Sequence, residues 1–211
     1  MTRIQKTVFI LVALVALVIG LTVYRVLNSE RQLDPTQLLD AGIVILPQGR
    51  DVPKLTLTDQ DGQPVQVDQL DGKWTLLFFG YTFCPDICPA TLAELRQLRG
   101  QLPEELRDRL RPVLVSVDPE RDTPEQLKQY LGFFGEGFIG LTGPLDDIQT
   151  LANGVGIPFI PGDSSRENYT VDHSGNLVLI GPDGRQQGFI RSPLRVQKLA
   201  EQLPELVKQA E

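Results

Sequence analysis

Trp74-Thr-Leu-Leu-Phe-Phe79-Gly-Tyr-Thr-Phe-Cys84-Pro-Asp-Ile-Cys88-Pro89 is the stretch on which the fold turns. Its opening run, Trp74 to Phe79, has the continuous apolar pattern of a strand buried in the middle of a sheet. From about Pro89 to Gly100 the period changes, and Leu92, Leu95 and Leu98 form one stripe of a helix. A buried strand thus runs into a helix through a short turn that holds both cysteines of the chain. In open α/β sheets, ligands bind at the carboxyl ends of strands.

Working downstream, Val113-Leu-Val-Ser-Val117 predicts a second buried strand. Thr123-Pro-Glu-Gln126 matches a capping box with proline at the first helical position and opens a helix to about Phe134. Ile139 to Leu141 reads as a short strand, Leu145 to about Ala152 as a helix, and Thr170-Val171 and Leu177 to Ile180 as strands. Gly181-Pro-Asp-Gly184 turns the chain into Gln187-Gly-Phe-Ile190, and a last helix covers about Pro193 to Gln209. Upstream, Leu55-Thr-Leu-Thr58 and Val65-Gln-Val67 alternate about Asp59-Gln-Asp-Gly62, a hairpin pattern. Strands separated by helices imply parallel pairing, and the late hairpin adds an antiparallel edge. The order predicts an α/β thioredoxin-like sandwich with an N-terminal β-hairpin extension.

The N-terminal end is of another kind. Val8 to Val23 carries no charge, and with the residues to Leu27 it reaches the roughly 20 needed to cross a bilayer core. Arg3 and Lys6 precede the run and Arg25 follows it, so the positive-inside bias places the N-terminus in the cytoplasm and the body beyond the membrane. A cleaved signal peptide competes, but Leu21-Thr-Val-Tyr24 after Gly20 offers no small-x-small cleavage site. Without an Arg- and Ser-rich transit peptide, a bacterial inner membrane is favoured over a mitochondrial one. The expected organisation is residues 1–27 as cytoplasmic N-terminus and single transmembrane anchor, 28–47 as linker with a helix start at Asp34-Pro35-Thr36, and 48–211 as a periplasmic domain.

The whole chain has a net charge of −7, and residues 1–27 hold three of its 20 basic residues and none of its 27 acidic ones. The exported part therefore has 17 basic against 27 acidic residues, a net of −10. So acidic a body is unsuited to nucleic acid or to anionic lipid surfaces, and it suits a basic protein partner or a cation.

Pro89 disfavours helical geometry at Cys88 and itself fits the first helical position, which puts Cys84 on the turn and Cys88 at or just before the helix start. A helix N-terminus stabilises a thiolate, the form that acts as nucleophile or metal ligand. The pair can close a disulfide or chelate one ion. Two nearby thiols in an exported protein are a disulfide by default, although a staple across so short a loop removes little chain entropy. Cys88 also stands four before Leu92 and continues its apolar stripe. His173 is the only histidine; it follows Val171-Asp172 at a strand end and precedes Ser174-Gly175, where the chain can turn. In thioredoxin-like topology that loop packs beside the helix bearing the cysteines. Two thiolates and an imidazole form a soft, three-coordinate set suited to copper, whereas a structural zinc site takes four ligands.

Phe79-Gly-Tyr-Thr-Phe-Cys-Pro-Asp-Ile-Cys-Pro89, Val115-Ser-Val-Asp-Pro-Glu-Arg-Asp-Thr-Pro124 and Val171-Asp-His-Ser174 resemble, in order, three signature blocks of the Sco/SenC family. The resemblance spans the body from about Pro47, and the anchor fits it. It implies a thioredoxin-like copper chaperone that helps to mature the copper A centre of cytochrome c oxidase. It further implies Cys84, Cys88 and His173 as ligands of Cu(I) or Cu(II), with the oxidase subunit carrying copper A and another periplasmic copper chaperone as partners. Ile87 and Val178 are local variations. The family also implies that the loop Asp118-Pro-Glu-Arg-Asp122 lies near the site, with Asp118 and Arg121 touching a partner.

Around these residues, Asp172 reads either as an acceptor orienting His173 or as a solvated turn carboxylate. Asp86 reads as a turn former, Tyr81 as site lining, and Thr123 and Gln126 as capping residues. Two other functions compete with copper transfer: a thiol-disulfide reductase using the redox pair Cys84 and Cys88 on a partner's cysteines, and a peroxidase or redox sensor on the same fold. Against a general oxidoreductase stands the spacing, since thioredoxin motifs use Cys-x-x-Cys. No water-activating or oxyanion constellation points to hydrolysis.

Overall fold

The protein is described by a computed structural model covering residues 3–27, 33–70 and 72–209. The expectation for linker residues 28–32 lies outside the described residues. The chain divides into two compact units, one up to Asp34 and the other Pro35–Glu211.

The first unit holds helix α1, Arg3–Leu27. Its segment Arg3–Tyr24 is 22 residues long, strongly apolar, and without a charged residue beyond Lys6. At about 1.5 Å per residue it reaches roughly 33 Å, enough for a hydrocarbon core of about 30 Å. An anchor and a signal sequence have this property alike.

In the second unit the elements run α2 (Pro35–Asp40), β1 (Ile43–Asp51), β2 (Thr56–Asp59), β3 (Pro64–Gln66), β4 (Trp74–Gly80), α3 (Ile87–Gln101), α4 (Glu104–Arg109) and β5 (Leu110–Ser116). They continue with α5 (Pro124–Gly132), β6 (Ile139–Thr142), α6 (Leu145–Gly154), β7 (Leu177–Ile180), β8 (Arg185–Ile190) and α7 (Val196–Gln209). The strands form one eight-stranded sheet in the order β1-β8-β7-β4-β5-β6-β2-β3. β4, β5 and β6 are parallel, and β7 lies antiparallel to β4. All seven residues of β4 are buried, as its unbroken apolar run requires of a central strand. Leu76, Leu77, Phe78 and Phe79 are fully enclosed, each such side chain contributing about 1.5–3 kcal/mol on leaving water.

The hairpin of β2 and β3 turns through Gly62 at φ +77°, a conformation open to glycine. Although it precedes β4 in sequence, it joins the sheet beyond β5, at the β6 edge, through β2. The late hairpin was expected to form the opposite edge. Instead β1 pairs antiparallel with β8 and covers it. Residues 35–47, read as linker, therefore supply α2 and the start of that edge strand. Thr170-Val171 forms no strand; this part of the chain makes a single bridge, Ile160 with Asp172. α3 packs on α7, and α5 packs on β6. The result is a mixed α/β thioredoxin-like fold with an N-terminal apolar helix.

Candidate metal centre

β4 delivers the chain to the site and stops at Gly80. The Cys84 N–H donates to the Tyr81 carbonyl (3.3 Å), which closes the turn. α3 begins at Ile87 after the N-cap position Asp86, so Cys88 is the second helical residue and Pro89 the third. The helix starts earlier than Pro89 suggested because the first four N–H groups of a helix have no partner within it, and proline there loses nothing. His173 comes from the irregular stretch between α6 and β7.

The structure brings all three residues together. The ligand atoms of Cys84, Cys88 and His173 lie within 4.8 Å of one another. His173 Nε2 is 3.4 Å from Cys88 Sγ. Both cysteines are unbridged. Each sulfur accepts a backbone N–H: Cys84 Sγ from Cys88 and Cys88 Sγ from Tyr81, both at 3.4 Å. The Ser174 carbonyl, which can only accept, lies 3.4 Å from His173 Nδ1. In the tautomer with its proton on Nδ1, the ring donates to that carbonyl and Nε2 presents its lone pair to the sulfurs. The rings of Tyr81 and Phe78 meet the imidazole edge-on at 5.5 and 5.9 Å.

Burial dominates the electrostatics. It holds His173 below its ordinary range, so the ring is neutral at pH 7 and free to coordinate. The Cys88 thiol is pushed up by burial, against the Tyr81 N–H that favours the thiolate. This corrects the expectation that the helix N-terminus would lower it: Cys88 is 0% exposed, and desolvation of the charged form outweighs the dipole. A bound cation reverses that balance by displacing the proton.

The loop between β5 and α5 holds the site from behind. Asp122 is 0% exposed and accepts hydrogen bonds from Thr82 N (3.1 Å), Thr82 Oγ1 (2.6 Å) and Ser116 Oγ (2.7 Å), tying the cysteine turn to the end of β5. Burial raises its pKa above the usual carboxylate range. Gln126 donates to Thr82 Oγ1 at 3.3 Å, a link to the same turn that its capping position did not announce. Asp118, expected to touch a partner, turns inward. It is 3% exposed and accepts from Arg121 Nε and from Tyr169 OH (2.5 Å). Tyr169, missed in sequence, is an isolated aromatic after the polar run Asp163-Ser-Ser-Arg-Glu-Asn168, which was its only signal.

Tyr81 lines the site as expected, and its hydroxyl accepts from Val171 N at 3.2 Å. Asp172 is exposed and does not orient the imidazole; its carbonyl accepts from Ile160 N. Asp86 makes no side-chain cap bond.

The sequence profile of SCO1/SenC matches residues 48–208. A Stutzerimonas stutzeri protein provisionally named as copper-binding is 49% identical over 176 residues, covering 83% of this chain and 86% of that protein. The mitochondrial protein SCO2 of Saccharomyces cerevisiae is 34% identical over 163 residues, 76% of this chain but 52% of the yeast protein. Among solved structures, Arabidopsis thaliana ScoI with copper bound superposes with a TM-score of 0.68 at 34% identity, over 75% of this chain and 98% of that one. Two cysteines on the turn between a buried strand and a helix, a histidine delivered from a distant loop and a matching profile over most of the length lead to one assignment: this chain belongs to the SCO1/SenC family.

Proposed function

We propose that this protein is a membrane-anchored copper metallochaperone that holds Cu(I) or Cu(II) through Cys84, Cys88 and His173 for assembly of the copper A centre of cytochrome c oxidase. The observation that carries the reading is the convergence of three soft donors within 4.8 Å, drawn from segments 85 residues apart. Two donors of one ion with bonds of about 2.0–2.3 Å cannot be more than about 4.6 Å apart, so the cluster needs little adjustment to close on a single ion. Thiolate and imidazole in a three-donor set favour copper over the harder cations. Family membership and the copper-bound Arabidopsis relative support the same cargo. In this reading α1 is an uncleaved inner-membrane anchor and the compact unit works in the periplasm. The receiving partner is the oxidase subunit that carries copper A, with another periplasmic copper chaperone as a second partner.

A second reading is favoured by the unequal access of the two thiols. Cys84 is 8% exposed and Cys88 is 0% exposed, the arrangement of an attacking and a resolving sulfur. Reduction of a partner's disulfide would oxidise the pair to a Cys84–Cys88 disulfide and pass two electrons and two protons to the partner's cysteines. That activity is compatible with copper carriage on the same residues.

The test is an anaerobic titration of the reduced full-length chain in detergent with Cu(I), and separately with Cu(II). One copper per chain is expected, with negligible binding by the Cys84→Ser, Cys88→Ser double variant. Tight copper retained by that variant would remove the site assignment.

A further inference from the structure

Arg121 is not a donor in the metal cluster, yet its guanidinium touches both segments that carry the donors. On one side it lies over the ring of Phe83, the residue before Cys84, at 4.9 Å from the centroid, and 5.6 Å from that of Tyr81. On the other it lies over the Tyr169 ring at 3.7 Å and donates through Nη2 to the Tyr169 carbonyl at 3.0 Å. Tyr169 stands four residues before His173. Asp118 closes the arrangement by accepting from both Arg121 Nε and Tyr169 OH. A planar cation with donors along its edge can stack on two aromatic faces and still reach a carbonyl and a carboxylate, which lysine cannot.

The two ligand-bearing segments depend on this contact unequally. The cysteine turn is held from within by the start of α3 and from below by Asp122. The stretch from Gly156 to Asn176 has no helix or strand, and its regular pairing is limited to the Ile160–Asp172 bridge. Beyond that, Val171 N donates to Tyr81 OH, and Arg121 supplies the charged fastening.

We infer that Arg121 is a positioning residue for Cu(II) capture: stacked between Phe83 and Tyr169, it fastens the histidine loop to the cysteine turn and keeps His173 Nε2 within ligand distance of the sulfurs. The inference rests on the copper reading above. Cu(I) needs only the two sulfurs, whose turn α3 and Asp122 hold without the clamp, whereas Cu(II) gains from the nitrogen, whose loop depends on it.

The experiment compares Arg121→Lys, Tyr169→Leu and the double variant with the wild-type full-length chain in detergent. In the metal-free protein, hydrogen exchange across residues 157–173 should quicken about tenfold or more in each variant, since the loop opens locally while the sheet stays closed. Cu(II) affinity should fall about 10–100-fold with a weakened sulfur-to-copper charge-transfer band, while Cu(I) affinity stays within about threefold. The double variant should lose less than the sum of the single losses, because the stacking of Arg121 on Tyr169 is broken by either substitution. Unchanged exchange in this loop, equal losses of Cu(I) and Cu(II), or additive losses in the double variant would each overturn the clamp. Failure of the wild-type chain to bind copper would overturn the functional reading, and the exchange measurement would still decide whether Arg121 fastens the loop.

Discussion

His173 separates copper chemistry from plain thiol chemistry, because its burial leaves it neutral and its Nε2 faces Cys88 Sγ at 3.4 Å. Two thiolates hold Cu(I) without it, but Cu(II) takes more donors and prefers nitrogen among them. His173→Ala is therefore expected to retain Cu(I), to lose more than the 10–100-fold in Cu(II) affinity typical of residues outside the ligand set, and to lose the sulfur-to-copper absorption. It should still form and reduce the Cys84–Cys88 disulfide. Oxidase assembly unaffected by this variant in cells would remove Cu(II) capture from the function and leave thiol reduction as the better reading. Gly80 is the other decisive single residue. A Cβ there would lie 2.7 Å from Phe78 Cε1, 2.8 Å from Cys88 Sγ and 3.1 Å from Leu114 Cδ1. Gly80→Ala should lower unfolding stability by about 1–3 kcal/mol in a urea titration, as overpacking of a close-packed core does. It should also perturb copper binding, since one of the crowded atoms is a proposed ligand. Wild-type stability and copper spectrum together would refute that close approach.

Among the elements, α3 and α5 both follow the cysteine turn in sequence and both support the site. α5 begins where Thr123 Oγ1 accepts the Gln126 N–H at 3.2 Å, with Pro124 at its first position. Thr123→Ala removes that acceptor and should cost about 0.5–2 kcal/mol, measured as a lower urea midpoint with an unchanged slope. Thr123→Ser should restore the midpoint, and an alanine variant as stable as the wild type would show that the cap does not stabilise α5. The side chain of Gln126 meanwhile leaves the cap and reaches Thr82, so a local helix-start motif also fastens the cysteine turn. β1 illustrates the reverse relation. Ile43–Asp51 opens with the strand-forming run Ile43-Val-Ile45, but Pro47 and the polar, non-alternating residues after it obscure a strand of this length. It forms because β8 offers an open edge, with a register shift between Ile45 and Arg50 that accommodates the irregular stretch.

At the scale of the whole molecule, an apolar helix long enough to span a bilayer precedes an acidic body in the chain. Arg3 and Lys6 set the expected orientation. A reporter active only in the cytoplasm and fused after Glu211 should therefore be inactive, while one that requires export should work. The opposite pair of results would reverse the orientation and remove the periplasmic role. The net charge of −10 on residues 28–211 gives this part of the chain a field that repels nucleic acid and attracts cations and basic surfaces.

Most of the regular elements were legible because each rests on a local signal: the apolar run of β4, the leucine stripe of α3, the capping residues of α5, and the glycine-bounded turn between β7 and β8. The same holds for Cys84 and Cys88, whose spacing and place between strand and helix confine both sulfurs to one turn. The resemblance of three short blocks named His173 beside them, but no local pattern could show that an imidazole 85 residues downstream reaches 3.4 Å from Cys88 Sγ. That approach depends on β7 lying against β4 and on the loop before β7 being held by Tyr81, Asp118, Arg121 and Tyr169. The inward turn of Asp118 and the raised pKa of the Cys88 thiol were likewise misread, since burial is a property of what packs around a group and not of its neighbours in the chain. Periodicity, capping and turn chemistry act over a few residues and are written in the sequence. The distances, the desolvation and the fastening of the histidine loop arise only when segments remote in the chain are brought into contact.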